Sequence, residues 1–497
     1  MTIIFIIILF FISLSTGLSG KIVYNIIYVD DNNINGPWDG TLEHPYRYIE
    51  DAIDNAIDGD TIRVYSGVYE NPNNNVYIIK SLSIIGNGSS VTIINRPVYI
   101  EADNVLFQGF TVNGFDYKTM EQVTCVNLNN TDYSSINNNT ISTDFSGIQI
   151  YDSNFNDIEN NIFKKSESFK PVFYLFSSNS NIIRGNNYVY TYNYGIYLDH
   201  CNNNLIEYNN FESSIPEFIS FCIYFLSGSN NTIFSNNFTN CVCPIGLKSS
   251  DYNKIKNNIM KYSGTVKRSG LAMRISSSNN NIINGNNMTE LYYGIHLDYS
   301  CNNTINENIY KESDGPGIGI FDASNNNIVS RNIIINNIQS GSGIALGHST
   351  NNIIEYNDLI KNKGGGIYIN PETNDNIIRL NNISYNGNKT DPMSAGITFE
   401  GKSNGNKIYY NNIMNNIEGL LLCGNKNIIR NNNFIGNEIH ATFKDSWLNS
   451  WYLNYWDNSI GFGPKIIFGC FWKFERIPWV NFDWHPAKEP YDVLILR

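Results

Sequence analysis

Asp199, Lys248, Arg274 and Asp298 recur at one spacing, four residues after the position that opens a repeated unit. Two basic side chains between two carboxylates suggest uronate chemistry. Lys248 or Arg274 with a depressed pKa would act as the base that removes the proton beside a sugar carboxylate. Asp199 and Asp298 would hold a Ca²⁺ ion that neutralises that carboxylate. The competing reading is a solvated face whose charges compensate one another. Two residues after the same opening position stand Tyr174, Tyr197 and Tyr224, with His296 further along. Sugar rings stack their C–H faces on exposed aromatic strips of this kind. Tyr is also a good strand residue in its own right.

Other chemistries leave fainter marks. A glycoside hydrolase needs two carboxylates about 5–9 Å apart, and no adjacent Asp/Glu pair falls at these two positions. Cys241-Val-Cys243 could be half of a soft-metal site, and Asp483-Trp-His485 places His485 in the one compact candidate of the tail. The favoured reading of both is packed residues, and there is no His-rich or Met-rich tract of the kind a copper site draws on. Gly396-Ile-Thr-Phe-Glu-Gly-Lys-Ser403 fits the phosphate-loop pattern, but a bend and a strand are expected after it rather than a helix.

These residues must be positioned by a repeat. Its unit runs Gly-Ile-x-Leu/Ile, a few polar residues, then Asn-Asn-x-Ile-x-x-Asn-x-Ile, as at Gly195-Ile-Tyr-Leu198 and Gly366-Ile-Tyr-Ile369. With the Gly as position zero, units open at residues 147, 172, 195, 222, 244, 270, 294, 317, 343, 366, 396 and 419. Ile and Leu at +1 and +3 alternate with outward residues, which is strand periodicity. So short a strand cannot bury its apolar face alone; stacked units bury one continuous core. A period of 22 to 30 residues without helical pattern predicts an all-β fold, a single right-handed parallel β-helix. The excess of Asn, 84 residues, then has an explanation: the Asn-Asn-x-Ile motifs are structural, their stacked Asn hydrogen-bonding up and down ladders at the bends.

The expected organisation is a secretion signal over 1–20, a cap and irregular first coils over 21–135, regular coils over 136–440, and a Trp/Pro-rich cap over 441–497. Ile3–Ile12 is an apolar run short for a membrane span, so export is expected, with membrane attachment only if the segment is uncleaved. Tyr46–Ala56 spaces Tyr46, Ile49, Ile53 and Ala56 as one amphipathic helix, suited to plugging the amino-terminal end of the rod. Six of the seven Trp lie between Trp447 and Trp484. A net charge of −12 argues against a nucleic-acid partner.

The repeats resemble those of the pectin-lyase-like superfamily. They are more similar to exported NosD-type proteins, named for a periplasmic copper-binding member, and to their archaeal relatives. The opening carries the resemblance through Tyr28-Val-Asp-Asp31, Gly36-Pro-Trp-Asp-Gly-Thr-Leu-Glu-His-Pro45 and Gly59-Asp-Thr-Ile62, and the close through Asn454-Tyr-Trp-Asp457. It implies the fold and leaves function open. The expectation is an exported, non-catalytic surface or envelope protein whose partners are glycans or cell-envelope components. The alternatives are a polysaccharide lyase or hydrolase, and a NosD-like metal-site assembly factor.

Overall fold

The computed structural model describes residues 24–493 apart from 72–73, 117–120, 143–144, 165–169, 190–193, 213–220, 263–269, 340, 392, 460–462 and 472–476. The expected secretion signal lies outside the described residues. No helix among the described residues is long and apolar enough to cross a membrane.

The chain is a single parallel β-helix of about 15 turns. Each regular coil supplies three short strands, for example Ile196–Asp199, Leu205–Glu207 and Asn210–Glu212. Each strand pairs in parallel with its equivalent in the next coil, with Ile196 opposite Ile223, Leu205 opposite Thr232 and Asn210 opposite Asn237. Alternation places Ile196 and Leu198 in the core, while Tyr197 and Asp199 stay partly exposed. Aromatic rings also stack inside the rod. Phe163, Tyr188, Phe211 and Phe238 follow one another with centroids 4.6, 4.5 and 4.9 Å apart.

The Asn excess forms ladders, as the repeat predicts. Asn161, Asn186, Asn209, Asn236, Asn258 and Asn286 are all buried, one per coil. In each step an Asn backbone N–H donates to the side-chain carbonyl of the next Asn at 2.9–3.0 Å. The side-chain amide donates to a main-chain carbonyl of the preceding coil, as from Asn161 to Ile136 at 2.8 Å. These bonds satisfy backbone groups that the bends would otherwise bury unpaired. A parallel ladder uses Ser and accepts one Cys: the Ser178 N–H donates to Cys201 Sγ.

At the amino end the helix spans Ile49–Asn55 and buries Ile49, Ala52 and Ile53 against the first strands. At the other end the coil pattern runs past 440. Ile439–Lys444 pairs with Glu418–Cys423, and Ser450–Tyr452 pairs with Ile428–Arg430. The expected border at 440 therefore falls inside a coil. An antiparallel hairpin of Lys465–Phe471 and Ile477–Asp483 follows. Asp483 takes the place of the next ladder Asn, accepting from the Asn454 N–H at 2.9 Å and from Trp456 Nε1 at 3.2 Å. The phosphate-loop pattern is a strand, a bend and a second strand, Ile397–Phe399 and Lys407–Tyr409.

Candidate functional site on one sheet face

Register builds the site. One outward row reads Tyr174, Tyr197, Tyr224, Gly246, Arg274, His296, Gly319, Ala345 and Tyr368, each opposite the next. The neighbouring row on the same face reads Phe176, Asp199, Leu226, Lys248, Ser276, Asp298 and Phe321.

The placement of Arg274 corrects the sequence reading. A unit opening at Gly270 would put Arg274 beside Lys248 in the second row. The strand Leu271–Ser276 instead turns Met273 and Ile275 inward, opposite Ile245 and Leu247. Arg274 therefore follows Gly246 in the tyrosine row, and Ser276 follows Lys248. A six-residue strand offers two apolar alternations, and the choice between them shifts the register by two.

The tyrosines form a continuous strip. Ring centroids are 5.5 Å apart for Tyr174 and Tyr197 and 5.3 Å for Tyr197 and Tyr224. Tyr194 packs against Tyr197 and Tyr224, and Phe221 packs against Tyr224. Burial, and then the charge of Asp199, push the Tyr197 hydroxyl up to about 12 and raise that of Tyr174. Burial also raises Tyr224, with Arg274 opposing. All three stay protonated at neutral pH and can donate hydrogen bonds.

The strip ends in a cleft. A cavity of about 210 Å³ is lined by Phe221, Tyr224, Leu247, Lys248, Arg274 and Ser276. Gly246 makes it possible, because a Cβ there would stand 2.5 Å from the Phe221 ring and 2.8 Å from Tyr224. Two cations thus meet an aromatic wall over a strand with no side chain in between. On the far side, Arg274 lies 3.7 Å from Asp298, whose other oxygen is 2.8 Å from His296 Nε2.

The structure brings Lys248 and Arg274 together, with Tyr224. It does not bring Asp199 and Asp298 together. Four coils separate them, about 19 Å at roughly 4.8 Å per coil, so they cannot share a Ca²⁺ ion. Each carboxylate also has protein partners: the Tyr174 hydroxyl lies 3.4 Å and His200 Nδ1 2.6 Å from Asp199, and Asp298 is held by His296 and Arg274. The soft-metal candidates fail likewise. Cys241 is disulfide-bonded to Cys222, so its sulfur is no free thiolate. Cys243 is buried, and burial pushes its thiol well above the usual range. His485 is exposed, with its backbone held to Asp483 and Leu453.

Sequence reasoning missed Phe221, Tyr194 and Ser276. An aromatic residue just before the unit opening, as at Tyr194, Phe221 and Tyr293, is the signal that could have found the wall.

The fold defines a parallel β-helix repeat protein. The chain belongs to the periplasmic copper-binding protein (NosD) family, whose model matches residues 53–242 and 244–422. No curated protein sequence matches it. Solved structures similar in fold include the family 28 exopolygalacturonase of Yersinia enterocolitica, at 12% identity, covering 71% of this chain and 76% of that one with a TM-score of 0.38. The PL6 family alginate lyase AlyGC is similar at 10% identity over 81% of this chain and 90% of its own, TM-score 0.38. PfbA, a surface adhesin of Streptococcus pneumoniae, is similar at 16% identity over 66% and 86%, TM-score 0.38.

The copper in the family description finds no fitting site among the described residues, where no three His, Cys, Asp or Glu side chains converge. His200, His296 and His440 each face a carboxylate, and Met260, Met273 and Met288 are buried in the core.

Proposed function

We propose that this protein is an exported, non-catalytic, glycan-binding β-helix of the cell envelope, and that its ligand is an acidic saccharide. The periplasmic description of its family supports the location. The observation that carries the ligand class is the cleft between Phe221, Tyr224, Lys248 and Arg274, where the two cations close a partly exposed tyrosine strip. Tyr174, Tyr197 and Tyr224 take the apolar faces of successive sugars. Lys248 and Arg274 take a carboxylate or sulfate on one of them. The overall charge of −12 makes this a local cationic site on an acidic protein, which favours specific over general polyanion binding.

The test is a glycan-array screen on the full chain, with and without Ca²⁺, monitored for ultraviolet-absorbing unsaturated uronate products. The expected result is binding of acidic glycans that survives chelation and is weakened about 2- to 10-fold each by Tyr197→Ala and Tyr224→Ala. Product formation abolished by Lys248→Ala or Arg274→Ala would replace this reading with that of a lyase.

A further inference from the structure

The outward row breaks a second time. After His296 come Gly319 and Ala345 before the next large side chain, Tyr368. A cavity of about 450 Å³ opens there, between the rings of Phe321 and Tyr368. In the neighbouring row Gly347 separates Phe321 from Asn370; a Cβ on it would stand 2.9 Å from the ring and 3.0 Å from the Asn370 amide.

This depression has the opposite polarity to the first. Its walls include Asn370 and Asp391, and the Tyr368 hydroxyl donates to the exposed Glu400 carboxylate at 2.5 Å. Carboxylates and an amide carbonyl accept hydrogen bonds from sugar hydroxyls, and the two rings offer stacking faces. The same carboxylates repel an acidic sugar.

The two depressions lie on one face, four coils apart from Gly246 to Ala345, about 19 Å at roughly 4.8 Å per coil. The ridge between them is continuous, since Arg274 meets Asp298, Asp298 meets His296, and the His296 and Phe321 rings lie 5.1 Å apart.

We propose that the depression between Phe321 and Tyr368 is a second saccharide subsite, specific for a neutral sugar. One glycan chain crosses the ridge, with an acidic unit over Gly246 and a neutral unit at Tyr368. The ligand is thus a heteropolysaccharide mixing acidic and neutral sugars, not a homopolymer of uronic acid. This inference rests on the acidic-glycan reading above.

The test is calorimetry on the full chain with two probe series: tetrasaccharide and decasaccharide of hyaluronan, which alternates acidic and neutral sugars, and the same lengths of oligogalacturonate, which is acidic throughout. The hyaluronan decasaccharide should bind about tenfold or more tighter than its tetrasaccharide, because a second linked contact adds at high effective concentration. Oligogalacturonate should show no such gain. Phe321→Ala should remove the gain. Glu400→Lys, at an exposed position, should remove the hyaluronan gain and create one for oligogalacturonate. Tetrasaccharide binding without a length gain, or a gain untouched by both variants, would overturn the second subsite alone. Failure of both tetrasaccharides to bind would count against the acidic-glycan reading itself.

Discussion

Arg274 stands one coil beyond Gly246 in the outward row, and the Phe221 ring fills the space that a side chain at Gly246 would need. The position of the aromatic wall of the cleft therefore depends on one missing Cβ. Gly246→Ala should push the ring outward and close the cleft. The expected result is a loss of acidic-glycan affinity of about tenfold, at a stability cost of about 1–3 kcal/mol from overpacking. Titration calorimetry beside a thermal melt checks both, and full affinity in the variant would show that the cleft is not used.

Lys248 is exposed and, among the described residues, forms no ion pair, whereas Arg274 is shared with Asp298. Lys248→Ala should therefore weaken binding without unfolding the protein. Affinity should also fall as salt rises from about 0.05 to 0.5 M, because exposed charge pairs are screened. In Lys248→Ala that salt dependence should be shallower. A slope equal to that of the unmodified chain would remove Lys248 from the site.

Stability rests on the ladders. Asn258 is fully buried, accepts from the Asn236 N–H at 2.9 Å and donates to the Ile233 carbonyl at 3.1 Å. Asn258→Ala leaves the Asn236 N–H without its acceptor in the interior and should cost about 1–3 kcal/mol. Its exposed neighbour Asn257 sits at φ 56, where Gly is at ease. Asn257→Gly should change stability by less than about 1 kcal/mol. Equal effects from the two substitutions, measured by chemical denaturation, would contradict the ladder account.

The contrast between Asn258 and Asn257 also marks what a sequence can show. The repeat, its inward Ile pairs and its buried Asn follow from spacing, because burial and ladder pairing recur every coil. The helix at Ile49–Asn55 was legible for the same reason, through its 3.6-residue apolar stripe. The site was legible in part. Lys248, Tyr197 and Tyr224 fall on regular positions. Arg274 was misplaced by two because its strand begins early, at Leu271. The separation of Asp199 from Asp298 depends on counting coils along the rod, which similarity of position within the unit does not convey. The Cys222–Cys241 bond joins sulfurs from different positions of their units, so no ladder rule announces it.

Glu50 gives a pH dependence with a definite sign. Burial beside the amino-terminal coils, with Asp51 adding to it, holds its carboxyl up at about 7, against an ordinary 4.5, and the Arg96 charge opposes. The folded chain binds this proton more tightly than the unfolded chain does. The resulting stabilisation is fully present below about pH 4.5 and is lost as pH rises through 7, by up to about 3 kcal/mol. Glu50→Gln should therefore flatten the fall in melting temperature between pH 5 and pH 8. An unchanged slope would place the carboxyl in water.

The most direct measurement compares an acidic glycan that binds the full chain with the same glycan after its carboxylates are reduced to alcohols. Stacking on Tyr197 and Tyr224 is unchanged by reduction, while the partner of Lys248 and Arg274 is removed. The expected result is a loss of about tenfold or more in affinity, the scale of a charge-assisted hydrogen bond. Equal affinity for the two forms would contradict the claim that this cleft selects an acidic sugar.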